Sequence, residues 1–195
     1  MLISKGRLEL VKETLKEDGE TPLNYYQFIY GEMPRCPDCG APMHERERLT
    51  GKKARCFTGM DGIESKVEIR RVVCDNKACY NHNHPKRDLP DILVPHSHYD
   101  AEVHQAVADG STEVPCTPGT IQRLLKKMAD QLMLFLWALT QLGIRLTFCE
   151  EDGKARDFWS ALRAATAGFE RWYLLALKMT VNRFGALHWQ CSDTG

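Results

Sequence analysis

Leu8, Val11 and Leu15 recur at intervals of three and four residues, with charged residues between them. That spacing predicts a short amphipathic helix over residues 5–17, closed near Gly19. Residues 24–30, Asn-Tyr-Tyr-Gln-Phe-Ile-Tyr, are aromatic and β-rich and predict an extended segment. Over 36–84 the pattern shortens. Strands are expected near 43–49, 54–57 and 66–73, the last with Val67, Ile69, Val72 and Val73 set among charged residues, and Gly51, Gly59 and Gly62 mark turns.

Residues 85–98 are rich in Pro and His and read as irregular. The helical period then returns. Val103, Ala106 and Val107 give residues 99–108 one apolar face, and Gly110 ends it. Thr117-Pro118 is a helix start, with Thr as N-cap and Pro in the first turn. Ile121, Leu124, Leu125 and Met128 continue that helix, and the apolar run 132–142 can prolong it. Residues 150–153 read as a polar turn, and 156–182 as a second long helix offering Phe158, Leu162, Phe169, Trp172, Tyr173, Leu175 and Met179 to a core. The expected class is α+β, a small β unit followed by a mainly helical region. Its expected segments are 1–32 (helix and lead-in strand), 33–90 (β unit), 91–130 (a helix-turn-helix-like pair) and 131–195 (helical).

The chain has 195 residues, 43% hydrophobic and 27% charged, which places it among globular rather than disordered chains. Its most apolar stretch, 132–148, is broken by Thr140, Gln141, Gly143 and Arg145, so a buried helix is expected there rather than a membrane span. Residues 1–7 hold neither a long apolar run nor a cleavage-like site, and no secretory signal is expected. With cysteines in close pairs, the expected compartment is reducing and cytoplasmic.

The eight cysteines carry the chemistry. Cys36-Pro-Asp-Cys39-Gly40 lets two thiolates reach one ion from a tight turn, and Cys74-Asp-Asn-Lys-Ala-Cys79 is a second pair within ligand spacing. Two such pairs separated by strand-like sequence predict a zinc ribbon. Four thiolates leave no open coordination position, so the zinc is expected to be structural. His82 and His84 are alternatives to Cys79, and Cys56, in the hairpin, is another candidate. Cys116, Cys149 and Cys191 read as buried apolar residues. Asp88, Asp91, His96, His98 and His104 contain the donors of a hydrolytic metal site, but their spacing is not that of a His-Glu-x-x-His helix. No catalytic centre is expected.

Formal net charge is zero, so any basic surface must be local. Lys and Arg outnumber Asp and Glu by 11 to 8 over residues 36–90, whereas residues 91–118 hold 0 against 5. Arg46, Arg48, Lys52, Lys53 and Arg55 lie in the hairpin and Arg70-Arg71 in the next strand, a density able to neutralise phosphates. Glu45, Glu47, Glu64 and Glu68 are interleaved with them, as on an ordinary solvated face. Gln122, Arg123, Lys126 and Lys127 follow the helix start at Pro118, where a recognition helix would present side chains to base edges.

The Cys36-Pro-Asp-Cys39-Gly40 knuckle, and the run Ile69-Arg70-Arg71-Val72-Val73-Cys74-Asp75-Asn76-Lys77-Ala78-Cys79, resemble the zinc ribbon of insertion-sequence transposases. The continuation from Arg87-Asp88-Leu89-Pro90 to His98-Tyr99 looks closer to an uncharacterised bacterial zinc-ribbon family associated with mobile elements. The resemblance covers roughly residues 33–128 and implies recognition of double-stranded DNA. It does not extend to the acidic catalytic domain of those transposases, for which no room follows residue 128. What it implies is a DNA-binding accessory or regulatory protein without chemistry of its own. The competing expectation is a protein-binding adaptor or self-associating subunit, with Trp137, Trp159, Trp172 and Trp189 as anchors.

Overall fold

The structure is a computed structural model that describes residues 1–141 and 171–184. Two four-stranded sheets and a set of helices enclose one main core, as the α+β expectation requires. In chain order the elements are β1 (Leu2–Ser4), β2 (Gly6–Leu15), β3 (Pro22–Tyr30), β4 (Met43–Leu49), β5 (Arg55–Thr58), β6 (Glu64–Val67), β7 (Ile69–Cys74), α1 (Tyr80–Asn83), β8 (Lys86–Pro90), α2 (Ala101–Ala108), α3 (Pro118–Gln141) and α4 (Trp172–Phe184).

The helix expected over residues 5–17 is a strand. β2 and β3 form a long antiparallel hairpin, from Gly6 opposite Tyr30 to Leu15 opposite Pro22. Asp18 closes its turn by accepting the N–H groups of Glu20 and Thr21. The three-and-four spacing of Leu8, Val11 and Leu15 is not a buried stripe: Val11 is 66% exposed and Leu15 54%. The aromatic strand β3 needs backbone partners on both sides, and the preceding segment supplies one of them. Gly6 is required at the pairing, because a Cβ there would stand 2.2 Å from the Ile29 carbonyl oxygen and 2.6 Å from the Phe28 ring.

The single strand expected over 66–73 is two strands in different sheets. β6 lies between β3 and β5, and β7 lies between β4 and β8. The chain changes sheet at Glu68, so residues 64–74 couple the two layers. One face of β7 presents Ile69 to the main core; the other presents Val72 and Cys74 to a small second cluster with Leu2, Cys36 and Met43.

Arg70 and Asp88, opposite each other on β7 and β8, are 3% and 0% exposed. Arg70 Nε donates to Asp88 Oδ2 at 2.7 Å, and the Ser4 hydroxyl donates to the same carboxylate. A second guanidinium nitrogen donates to the Glu32 carbonyl, and the Tyr30 ring lies 3.7 Å beneath the cation. These contacts offset the desolvation of both charges. They also bind β1, β3, β7 and β8 together.

α2 and α3 begin within a few residues of their expected starts. Thr120 N–H donates to Thr117 Oγ1, the N-cap role expected of Thr117. α3 continues unbroken to Gln141, burying Leu124, Met128, Leu132 and Phe135 at helical intervals. α4 buries Tyr173, Ala176, Leu177 and Val181 beside it. The Asn182 amide accepts from Ile3 N–H and donates to the Ile3 carbonyl, acting as a strand partner at the open edge of β1. Of the expectations for the C-terminal region, the turn at 150–153 and the helix over 156–170 lie outside the described residues. So do the roles of Phe158, Leu162, Phe169, Cys149, Cys191, Trp159 and Trp189. No helix among the described residues is long and apolar enough to cross a membrane.

A buried polar chain joins α2, α3 and α4 to the turn before α2. Tyr99 N–H donates to Ser97 Oγ, which lies 2.7 Å from His104 Nε2. His104 Nδ1 faces the Tyr173 hydroxyl at 3.4 Å, and that hydroxyl donates to Gln131 Oε1. Because the Tyr173 proton goes to Gln131, its oxygen is left to accept, which places the imidazole proton on Nδ1 and lets Nε2 accept from Ser97. Burial, with Lys127 nearby, holds His104 neutral, its pKa down at about 3. The unfolded chain therefore binds a proton at this residue that the folded chain refuses. Stability from His104 is complete above its unfolded pKa near 6.5 and is lost as pH falls toward 3, at up to about 1.4 kcal/mol per pH unit. Urea unfolding of wild type and His104→Gln across that range should show wild type losing stability relative to the variant as the pH drops. Parallel curves would refute the assignment.

Candidate metal centre

The antiparallel register of β4 and β7 builds this site. Met43 pairs with Cys74, so the turn preceding β4 and the turn following β7 meet at one end of the sheet. In the first turn Gly40 N–H donates to the Cys36 carbonyl and Cys36 N–H to the Ala41 carbonyl. Gly40 has φ +74°, a left-handed conformation that a side chain would strain, which explains the Gly after the second cysteine. In the second turn Cys79 N–H donates to the Asn76 carbonyl, and Asp75 N–H reaches back to Pro42.

The Sγ atoms of Cys36, Cys39, Cys74 and Cys79 all lie within 4.8 Å of one another. Cys36 and Cys79 are 3.6 Å apart and Cys39 and Cys74 3.5 Å. Those separations are far too long for disulfides. They match the edge of a sulfur tetrahedron around one ion with metal–sulfur bonds near 2.3 Å, which is about 3.8 Å. Among the described residues this is the one group of His, Cys, Asp and Glu side chains with metal-holding geometry.

The surroundings fit four thiolates. Asn81, wholly buried at the start of α1, donates from Nδ2 to Cys36 Sγ at 3.1 Å and to Asp38 Oδ2 at 2.8 Å. Burial acts to raise the Cys36 pKa. Hydrogen bonds from Asn81, the N–H groups of Asp38 and Cys39, and Cys79 outweigh it and bring the thiol down to about 7. Burial pushes Cys74 the other way, up to about 12. Without a cation, one sulfur is ready to ionise and the next resists. A metal ion removes that conflict.

The alternative ligands lie elsewhere. His82 Nδ1 meets the Cys74 carbonyl at 2.7 Å and so braces the knuckle. His84 stacks on Tyr80 and meets the Tyr80 carbonyl. Cys56, on β5, belongs to the other sheet. The dispersed acids and histidines form no second centre among the described residues: Asp88 is held by Arg70, and His104 by Ser97 and Tyr173. The Asn81 contact is a functional feature the sequence reading missed. The only signal for it was an Asn two positions after Cys79, the last of the four clustered cysteines.

The candidate nucleic-acid residues are placed unequally. Arg46, Lys52 and Lys53 are exposed on β4 and the turn after it. Arg48 pairs with Glu45, and Arg71 with Glu47. Arg70 is the correction: its guanidinium is buried against Asp88 and cannot meet a phosphate. The charge pattern in sequence does not distinguish it from Arg71, because the alternation of a strand decides which of the two points inward. Arg55 donates to the Ser97 carbonyl. On α3, Gln122, Arg123 and Lys126 are exposed, and Lys127 Nζ donates to the His96 carbonyl.

Residues 36–124 match a family described as a domain of unknown function (DUF6431). The match opens on the first thiolate and ends in the second turn of α3, taking in both cysteine pairs. That description names neither a transposase nor a zinc ribbon. No curated protein and no solved structure matches the chain.

The site predicts about one tightly held divalent ion per chain, measurable by elemental analysis. Binding should weaken as pH falls, because the thiols give up protons to the ion, and more steeply below about 7, where Cys36 too is protonated before it binds. Cys39 is exposed, so Cys39→Ser removes a ligand with little loss of packing. It should lower bound metal several-fold and, like chelation, cost the circular-dichroism signal of the β4–β7 region. Full metal occupancy in that variant would show that the four thiolates are not the ligand set.

Proposed function

We propose that the four thiolates hold a structural zinc ion, and that the fold it sustains presents a surface to double-stranded DNA. The protein would act as an accessory or regulatory component of a bacterial mobile element, without a catalytic centre of its own. A closed shell of four thiolates suits zinc in a structural role, with no position left for substrate. The mobile-element setting rests on the resemblance of the cysteine knuckles to transposase ribbons.

One observation carries the DNA reading. Arg55 from β5 and Lys127 from α3 reach adjacent carbonyls of one turn, those of Ser97 and His96, at 2.5 and 2.9 Å. β5 and the helix opened by Pro118 are therefore neighbours, although β4 and β5 lie in different sheets and do not form the hairpin expected of them. Exposed Lys52 and Lys53 on the turn that leads into β5, with Arg46 on β4 before it, and Gln122, Arg123 and Lys126 on α3 can serve a single partner. In this reading the β4–β5 connection holds phosphates, and α2 and α3 act as a helix-turn-helix-like pair with the first turns of α3 toward base edges.

Binding to a labelled duplex, followed by fluorescence anisotropy, should weaken with salt by a slope of about 0.9 per phosphate neutralised. The triple variant Arg46→Glu, Lys52→Glu, Lys53→Glu should lose roughly tenfold or more in affinity. Unchanged affinity would remove β4 and the β4–β5 connection from the interface, and absence of binding at low salt would end the DNA reading.

A second reading, a zinc-stabilised adaptor or self-associating subunit, is favoured by the outer sheet edge. Among the described residues β2 has no strand on its far side, and it exposes Leu10, Val11 and Leu15. Of the aromatic anchors, Trp137 is 48% exposed and Trp172 is buried. Sedimentation should then show concentration-dependent association that Val11→Lys abolishes, and a monomer at all concentrations would exclude self-association.

A further inference from the structure

The turn at residues 95–98 has properties that neither the metal centre nor the core requires. His96 has φ +55°, a left-handed conformation uncommon for a residue other than glycine. Its neighbours are rigidly placed. Ser97 is buried against His104, Thr58 N–H donates to the His98 carbonyl, and Asp100 N–H donates to the Thr58 carbonyl. Cations from two separate elements converge on this fixed turn. Arg55 is anchored on the Ser97 carbonyl and Lys127 on the His96 carbonyl.

A third cation acts on this turn through its charge. Arg87, exposed on β8, stands opposite Arg71, whose own charge is matched by Glu47 from β4. Burial lowers the pKa of His96, and the charges that add most to the lowering are Lys127, Arg55 and Arg87, all positive. Arg55 is lowered by burial too, with Arg87 pressing in the same direction. Gathering like charges around one turn costs free energy unless an anion completes the group. The anchoring of Arg55 and Lys127 also removes much of the side-chain entropy a ligand would otherwise have to overcome.

We propose that Arg55, Arg87 and Lys127, gathered around the His96–Ser97 turn, form a clamp for one phosphodiester group of the bound nucleic acid. The inference rests on the DNA reading for the source of the phosphate. It departs from that reading in locating the strongest backbone contact at this turn, between sheet and helix, and in assigning it to Arg87 and His96, neither of which is among the nucleic-acid contacts expected from the sequence. Arg87 supplies a free guanidinium fork to the phosphate oxygens, Lys127 and Arg55 supply fixed positive charge, and the left-handed His96 backbone holds the ring at the rim.

Two measurements on the metal-loaded protein separate this clamp from the broader reading. In the first, inorganic phosphate is titrated while the His96 imidazole resonance is followed by NMR. The resonance should shift in wild type and stay still in Arg87→Gln, a change at an exposed side chain that leaves the fold intact. No shift in wild type, or equal shifts in both, overturns the clamp. In the second, Arg87→Gln and Lys127→Gln are each assayed on a labelled duplex. Each should lose about tenfold in affinity at low salt and reduce the salt slope by about one. Duplex binding with unchanged slope in both variants overturns the clamp while leaving the DNA reading standing. A phosphate-dependent His96 shift together with no duplex binding supports the anion site and defeats the DNA reading.

Discussion

Four sulfur atoms within 4.8 Å of one another are an unstable arrangement unless something positive lies between them. Their thiols cannot all ionise side by side, and the buried Cys74 strongly resists ionising. The remainder of the small sheet is organised around that difficulty. β4 and β7 run antiparallel in a register that brings two turns to one end, Gly40 bends the first turn back, and Asn81 closes over Cys36. The second hydrophobic cluster, Leu2, Met43 and Val72 with two of the cysteines, is too small to hold these turns by itself. A cation bound there would act as the centre of a core that the apolar side chains only begin.

From that centre the constraint passes into the rest of the molecule along one strand run. β7 carries Cys74 at its end, Arg70 near its start and, four residues before Arg70, a β6 residue paired into the other sheet. The change of sheet at Glu68 means that the metal turn, the Arg70–Asp88 ion pair and the main core cannot shift independently. Arg70 and Asp88 are wholly desolvated, so losing either partner leaves the other charge buried and uncompensated. The Ser97–His104–Tyr173–Gln131 chain gives the helices an equally specific seat against the turn at residues 95–98. A basic surface built across that turn inherits its rigidity from both networks.

The cluster of four thiols was legible because ligand spacing is a local property: residues three and five apart on a tight turn can meet one ion whatever the remainder does. The starts of α2 and α3 were legible for the same reason, since caps and helical periodicity act within one or two turns. The mistaken helix over residues 5–17 shows the limit. Three apolar residues at helical intervals fit an exposed hairpin strand equally well, and only the backbone demand of β3, many residues away, selects the strand. Arg70 shows it more sharply. It is indistinguishable from Arg71 as a string of letters, yet one is wholly buried in an ion pair and the other lies at the surface beside Glu47.

By itself, then, the sequence determined which side chains can bind a metal, where two helices begin, and that the chain is α+β with a β unit around the cysteines, because each depends on chemistry or periodicity confined to a short window. Only the tertiary structure decided that the N-terminal segment is a strand, that one apparent strand serves two sheets, and that Arg55 and Lys127 meet on the same turn. Those outcomes depend on pairing and burial between residues far apart in the chain, and loop closure over such distances leaves no signature in local sequence.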